Sequence, residues 1–352
     1  MARRATGDDV KARPLKPLTP PFTVNKLDIL GDLRARQFDA LDTRLRSYQQ
    51  RAEENIAEEA NMRMAFQTFE NSDPGLDDLL SEWVKNSAFS YSAHLAWATY
   101  SFKQGWRARG GRVAGDTSAQ RVTDMESFFA HGAREAQAAL SLNPKLAQAY
   151  VLLLQRERAN GGTEKCMKVG ESVLNLLPAS FIVRLEMMKC LQPRWGGSVE
   201  AMEAFAQESQ KFVAENARLV VLKGFPAFDR ASWVYRGKRD YALEIKVYAE
   251  AIEKGGDDAM FYQARGEVFG TLGQTQQAIE DFERANQLSP QNQDILESLA
   301  GVQAQIGKYE EALNTLELAS RVGGPSPYAP DLRAFLLSKL GRRPKGQGVG
   351  GD

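Results

Sequence analysis

The chain has 352 residues, of which 43% are hydrophobic and 26% charged, the ordinary usage of a folded globular protein. Its 45 basic and 45 acidic residues give a formal net charge of zero, which argues against a dedicated nucleic-acid binder. Two cysteines and two histidines are too few for a disulfide framework or for most metal sites, so we expect neither a metal nor a cofactor.

The two ends of the chain differ in composition from the rest. Residues 1–22 contain four prolines and five basic residues, which predicts a disordered, proline-rich basic arm. The glycine-rich residues 342–352 predict a disordered tail. No segment is apolar over the roughly 18 residues that a membrane span needs. We therefore expect a cytoplasmic protein, and a periplasmic one only if the true start lies upstream with a signal sequence.

Helical periodicity begins after the arm and runs through residues 23–145, which predicts an N-terminal helical domain. Phe38, Leu41 and Leu45 recur at spacings of three and four residues and mark its first amphipathic helix. Loop-forming residues at 71–75 separate the helices that follow.

Residues 146–254 predict divergent helical hairpins. Pro144 and Pro178 lie 34 residues apart and enclose a turn signal at residues 160–162 between two apolar stripes. A later unit is distorted, because Gly237 sits two residues away from the phase that this spacing predicts.

The same spacing becomes regular over residues 255–326, which predicts two clear repeats. Apolar and alanine positions keep the 34-residue period in two series: Ile245, Ile279 and Leu313, and Ala251, Ala285 and Ala319. Small residues at shared positions let the two helices of a hairpin approach closely. An amphipathic stripe over residues 327–341 predicts a capping helix.

This pattern resembles the tetratricopeptide repeat. Residues 259–292 match its motif at Tyr262, Gly266, Gly273, Ala278, Phe282, Ala285 and Pro290. Residues 293–326 match at Leu296, Ala300, Gly307, Ala312, Leu316 and Ala319, with Gly323 and Gly324 in place of the proline. The resemblance implies an all-α fold, a right-handed superhelical solenoid of helix-turn-helix hairpins.

A second resemblance covers roughly residues 30–215. It is carried by Phe38, Leu41, Trp83, the run 106–110 and the run 194–198. These residues are similar to a bacterial family described as domain of unknown function 4034, which is often fused to tetratricopeptide repeats. Because that family has no established activity, the resemblance implies a bacterial source and a helical fold only.

The residues that could carry chemistry show no catalytic pattern, so we predict that the protein is not an enzyme. We interpret His94 and His131 as packed or solvated side chains, and Cys166 and Cys190 as free, small core residues. Acidic pairs such as 58–59 and 257–258 stand at helix starts or on polar faces, which favours solvated acids that stabilise helix N-termini.

A basic and aromatic cluster is the more informative candidate. Trp106 and Arg109 precede one predicted turn, and Arg194 and Trp195 occupy another. Since the turns of stacked hairpins share an edge, these residues could form one rim that contacts a partner. The alternative is packing, in which the tryptophans cover hairpin ends while the arginines reach water.

The repeat resemblance also implies a concave groove. By repeat position, Gln263, Glu267 and Glu297 face it, which makes the groove polar and acidic. The lysine, asparagine and arginine set that binds acidic peptide termini in some repeat proteins is absent at these positions. A basic or neutral protein or peptide would fit this groove better than an acidic one.

Together these features predict a non-enzymatic protein- or peptide-binding scaffold or adaptor of a bacterial cell. One alternative is a dedicated accessory or immunity-type partner of a secretion or envelope system. An alternative of another class is an enzyme with a site near Trp106, Arg109 and Arg194.

Overall fold

The computed structural model describes residues 14–110 and 117–342. Over these ranges the regular secondary structure is helical and contains no β-strand. Successive helices pack as antiparallel hairpins that stack on one another. The predicted all-α class and the solenoid of helical hairpins are confirmed.

The N-terminal part forms six helices over the described residues. They are α1 (Lys26–Arg34), α2 (Phe38–Glu54), α3 (Glu59–Gln67), α4 (Leu76–Asn86), α5 (Tyr91–Arg109) and α6 (Ala119–Leu142). Helices α5 and α6 cross closely, because Gly105 and Gly132 leave room for the rings of Phe129 and Phe102. A Cβ atom added at Gly105 would lie 2.6 Å from the Phe129 ring. This close pair fixes the C-terminal end of α5, which carries Trp106.

The middle part begins with a bent helix. Its elements are α7 (Ala147–Leu174), α8 (Phe181–Cys190), α9 (Val199–Ser209), α10 (Phe225–Arg230), α11 (Arg236–Lys238) and α12 (Tyr241–Gly255). Within α7, Gly162 adopts a φ of 71°, so the helix bends where the sequence predicts a turn. A π-helical turn, Ala231–Tyr235, connects α10 to α11.

The C-terminal part follows the repeat register. It consists of α13 (Ala259–Thr271), α14 (Thr275–Leu288), α15 (Gln293–Gln305), α16 (Tyr309–Gly323) and α17 (Ala329–Lys339). Ala285 and Ala319 are fully buried at equivalent positions. Gly273 and Gly307 have a different role: a Cβ there would meet nothing within 4 Å, but their φ angles of 70° and 80° favour glycine.

The chain's own helix α3 faces the inner side of the repeats across a cavity. Met260 and Gln263, which the register places on the concave surface, line one cavity together with Arg63 and Met64 of α3. Helix α3 is mostly buried, and its first residue Glu59 bonds to the start of α8. The N-terminal part of the same chain therefore borders the expected groove, with a cavity between them.

The start of the described chain is ordered, which differs from the predicted disordered arm over residues 1–22. The backbone N–H of Lys16 donates to Asp257 Oδ2 at 2.8 Å, and that of Thr23 donates to Asn61 Oδ1 at 2.9 Å. An extended proline-rich segment needs no internal hydrogen bonds, so it can lie along a surface and partly bury apolar side chains such as Leu18 and Phe22. Residues 1–13 lie outside the described residues, as do 343–352 of the predicted tail.

Two predictions about acidic pairs are corrected. Glu59, Asp257 and Asp258 are buried and not solvated. Asp258 caps α13 and forms an ion pair with Arg218 at 2.8 Å, while Asp257 accepts a hydrogen bond from the Tyr262 hydroxyl at 2.6 Å. Hydrogen-bond and ion-pair partners make this burial favourable. Several of these partners are distant in the sequence, so periodicity does not reveal them.

The interpretation of the cysteines as free thiols is wrong. Cys166 and Cys190 form a disulfide, with Cα atoms 6.2 Å apart, and both side chains are buried. Each stands twelve residues from Pro178 in the turn of the α7–α8 hairpin (178 − 166 and 190 − 178). Residues equidistant from an antiparallel turn face each other, which is the physical reason for the pairing.

Candidate partner-binding site

Two of the predicted site residues meet around an arginine that the sequence analysis did not select. The guanidinium of Arg158, on α7, lies between two indole rings, 5.5 Å from the centroid of Trp106 and 5.1 Å from that of Trp195. Trp106 is fixed by a hydrogen bond from its Nε1 to Gln155 Oε1, one turn before Arg158. A cation between two aromatic faces is favourable, because each ring presents its negative face.

The charge of Arg158 is also balanced by the buried carboxylate of Glu186. Its Nε donates to Glu186 Oε1 at 3.0 Å, and Lys189 Nζ lies 3.1 Å from Glu186 Oε2. Burial alone would raise the pKa of the Glu186 carboxyl, but Lys189 and Arg158 together hold that pKa below its usual range. Glu186 therefore stays ionised and anchors Arg158 in place.

Arg194 forms a second cation–aromatic contact beside the first. Its guanidinium lies 4.1 Å from the ring centroid of Trp233, and its Nη1 is 3.1 Å from Asp229 Oδ1. Gln192 bridges the pair, since it donates to Asp229 and accepts from Arg194. Burial lowers the pKa of Arg194 to about 10, and the charge of Arg158 contributes to that lowering, while Asp229 opposes both effects.

We call this group the Arg158 cluster: Trp106, Arg158, Arg194, Trp195 and Trp233. Its outer edge is open, because half of the Trp233 surface is exposed (50%). Trp233 lies in the π-helical turn, a local departure from α-helix that is frequent at functional sites. The Trp195 Nε1 atom is buried without a hydrogen-bond partner within the described part of the chain.

The other predicted site residues lie elsewhere. Arg109 ends α5, one turn beyond Trp106, where its Nη1 donates to the carbonyl of Gly110. Gln263 lines the inner cavity beside α3 and donates weakly to Glu267 at 3.4 Å. Glu297 accepts hydrogen bonds from Ser326 and Gln293, and burial raises its pKa. The predicted groove residues and the Arg158 cluster are thus two separate places.

Sequence reasoning also missed that both histidines contact one carboxylate. His94 Nδ1 lies 2.6 Å from Glu135 Oε2, and His131 Nε2 lies 3.9 Å from Glu135 Oε1. The hydrogen bond to Glu135 raises the pKa of His94 against the effect of burial. Ser101 Oγ is 2.9 Å from His131 Nδ1, but it is buried and donates its proton to the carbonyl of Trp97. It is therefore not presented to a substrate as a nucleophile would be.

The described ranges hold neither a group of three or more metal-ligating side chains in a suitable arrangement nor a helix with the length and apolarity to cross a membrane.

Comparison with known proteins finds similarity in the C-terminal part. The tetratricopeptide-repeat family model matches residues 271–334. The small glutamine-rich tetratricopeptide repeat-containing protein 2 of Mycosarcoma maydis is 27% identical over 79 residues, 22% of this chain and 22% of that protein. This chain therefore matches only about a fifth of its curated relative. The family match lies outside residues 30–215, so the resemblance predicted there stays a prediction.

Three solved structures of repeat proteins are similar to this chain, with low TM-scores. YrrB, a repeat protein with an unusual peptide-binding site, gives a TM-score of 0.30 at 15% identity, covering 56% of this chain and 96% of its own. A thermophilic repeat protein of Thermus thermophilus, TTC0263, gives 0.28 at 20% identity, covering 61% and 92%. The Cut9–Hcn1 hetero-tetramer of the APC/C gives 0.35 at 12% identity, covering 89% and 55%.

Proposed function

We propose that this protein is a non-enzymatic scaffold that binds a protein or peptide partner through the Arg158 cluster. The observation that carries the proposal is the exposed Trp233 ring stacked on Arg194, which continues inward to Trp195 and Arg158. Tryptophan and arginine are the residues most enriched in binding hot spots. A half-exposed ring already held against a guanidinium loses little side-chain entropy when a partner covers it.

The inner groove is a poorer place for a large partner. Helix α3 faces Met260 and Gln263 across a cavity of only about 160 Å³, and the loop at residues 71–73 is bonded to the end of α16. A threaded peptide would have to displace α3 or this loop. The outer Arg158 cluster requires no such displacement.

The charges of the cluster indicate the character of the partner. Arg158 is paired with the buried Glu186, and Arg194 with the buried Asp229. Because each guanidinium already has a carboxylate, the cluster offers aromatic and apolar surface more than free positive charge. A partner with an aromatic or aliphatic anchor suits it better than a strongly acidic one.

Replacing Trp233 by serine should weaken partner binding by roughly 30-fold, the size expected for a hot-spot residue. A photo-crosslinking amino acid at position 233 would first identify the partner in native cells, and titration of the purified pair would then measure the dissociation constant. The matched control is Phe89→Ser, because Phe89 is also exposed (86%) but precedes the start of α5, at the opposite end of that helix from Trp106. Equal affinity of both variants and the parent would contradict the proposal.

The disulfide supports the alternative in which the scaffold serves a secretion or envelope system. Structural disulfides persist in oxidising compartments and are rare in the cytosol of mesophiles. The Cys166–Cys190 bond is buried beside Thr163, whose hydroxyl also binds the carbonyl of Trp195. An oxidising compartment would therefore preserve the hairpin that supports the Arg158 cluster.

Thiol trapping tests this location. Native cells quenched in acid and labelled with a maleimide under denaturing conditions should leave both cysteines unlabelled until a reductant is added. In the control variant Cys166→Ser, Cys190 should be labelled with and without reductant. Labelling of both cysteines in the parent without reductant would place the protein in a reducing compartment and remove this alternative.

A further inference from the structure

A cavity of about 160 Å³ lies between α3 and the repeats, away from the Arg158 cluster. Its polar wall consists of Arg63, Gln67, Arg218, Asp258, Gln263, Ser289 and Asn292. Five of these seven side chains carry N–H donors, and the two arginines carry no acceptor.

Arg63 is the unusual member of this wall. Among the described residues its guanidinium makes neither a hydrogen bond nor an ion pair, although it carries five N–H donors. Burial lowers the pKa of Arg63, and the like charge of Arg218 lowers it further. A cation held in this way is costly unless an anion or acceptor approaches it.

The charges that line the cavity leave a positive excess. Arg63 and Arg218 are opposed by Asp258 alone, and Asp258 already pairs with Arg218 at 2.8 Å. Of the more distant carboxylates, Glu70 opposes the positive charge at Arg63 most, while Glu59 caps α8 and Glu186 holds Arg158 and Lys189; burial and Arg218 still outweigh all three in the pKa of Arg63. The field at Arg63 is therefore suited to one further negative charge.

The N-terminus of α15 strengthens this field. Asn292 uses its Oδ1 to cap that helix, accepting from the backbone N–H groups of Asp294 and Ile295. Its amide nitrogen is the group left to donate toward the cavity. The positive end of this 13-residue helix also favours an anion there, although Asp294 in its first turn offsets part of the effect.

The remaining wall is apolar, formed by Phe22, Met64, Met260, Leu288 and Ile295. A cavity of similar volume lined by apolar side chains accommodates a benzene-sized molecule. We propose that this cavity binds a small carboxylate with an apolar body, whose carboxylate oxygens accept hydrogen bonds from Arg63, Gln67 and Asn292. This site goes beyond the proposed scaffold function and shares no residue with the Arg158 cluster.

Calorimetric titration of the full chain with benzoate tests the site, with benzamide as its neutral isostere. Benzoate should bind and benzamide should bind at least 10-fold more weakly. Arg63→Gln should weaken benzoate binding at least 10-fold, while Arg321→Gln, an exposed arginine away from the cavity, should bind as the parent does. Gln67→Leu provides a second variant in case Arg63→Gln does not fold, and it should weaken binding several-fold.

Such a carboxylate could belong to a small molecule or to the C-terminus of a peptide. The dipeptide acetyl-Gly-Leu, with a free or an amidated C-terminus, distinguishes these two sources. Binding of the free acid that depends on Arg63, without binding of benzoate, would keep the carboxylate site and assign it to a peptide end. Equal binding of benzoate and benzamide, binding unaffected by either cavity variant, or binding of none of these probes would overturn the proposal. The Trp233→Ser variant should bind benzoate as the parent does. A failure of the cavity proposal would therefore leave the scaffold proposal standing, and the reverse also holds.

Discussion

Replacing Glu59 by alanine should lower the free energy of unfolding by about 3–5 kcal/mol, because it leaves several buried donors without an acceptor. Glu59 Oε2 accepts from the backbone N–H groups of Phe181 and Ile182 at 2.8 and 3.3 Å. Its Oε1 accepts from the Ser180 hydroxyl, and Asn216 Nδ2 lies 3.4 Å from Oε2. Every one of these groups is in the buried interior.

The effect should be large because Glu59 joins two distant parts of the chain. It is the first residue of α3, yet it satisfies the N-terminus of α8, more than one hundred residues later. A carboxylate at a helix N-terminus is favoured by the backbone N–H groups and by the helix dipole. Burial raises the pKa of Glu59, and the donors from Ser180, Phe181 and Ile182 oppose that rise.

Chemical unfolding monitored by circular dichroism would measure this change. Glu54→Ala is the matched control: Glu54 is exposed, binds only Gln50 within the described residues, and should change stability by less than about 0.5 kcal/mol. Glu59→Gln keeps one acceptor oxygen and should fall between the two. If Glu59→Ala were as stable as Glu54→Ala, the packing of α3 against the start of α8 would be contradicted.

The sequence predicted the parts of this fold that depend on local periodicity. The 34-residue spacing of Ala251, Ala285 and Ala319 placed three helices correctly, because burial of small residues at a shared position is repeated in each hairpin. The composition of the turns also selected Trp106 and Trp195, which the structure brings together around Arg158.

Long-range pairing was not predictable in this way. Glu59 has the same local pattern as a solvated acid at a helix start, and only the contact with Phe181 shows that it is buried. His94 and His131 meet at Glu135 because α5 and α6 pack closely at glycines, a geometry that side-chain periodicity does not encode. The Arg63 cavity likewise depends on how α3 docks against the repeats.

Gly324 marks a second junction between the two halves of the chain, and its replacement by alanine should cost about 2–4 kcal/mol. The Asn71 side chain donates to the carbonyl of Val322 at 3.1 Å, and the backbone N–H of Ser72 donates to the carbonyl of Gly323 at 2.8 Å. A Cβ atom at Gly324 would lie 2.5 Å from Asn71 Oδ1 and 2.6 Å from the backbone nitrogen of Asp73. This contact explains why glycines stand where the repeat motif has proline.

The Gly307→Ala variant separates backbone strain from steric overlap, the two causes of the expected loss of stability in Gly324→Ala. Gly307 and Gly324 both have a φ of 80°, so alanine suffers the same backbone strain at either position. At Gly307, however, an added Cβ would meet nothing within 4 Å. Thermal melts of the two variants should therefore show that Gly324→Ala is less stable by about 1–3 kcal/mol, the typical cost of overpacking.

Amide hydrogen exchange would show which part of the structure the Gly324→Ala substitution loosens. In Gly324→Ala, the amides of residues 71–76 should exchange faster than in the parent, because the loop can no longer approach the end of α16. Gln104 and Arg107 of α5 also hold this loop through the carbonyls of Asn71 and Ser72, so exchange should increase without general unfolding of α4 or α5. If Gly324→Ala and Gly307→Ala lost equal stability and the loop amides stayed protected, backbone strain alone would account for the loss. The loop would then not be what closes the N-terminal half onto the repeats.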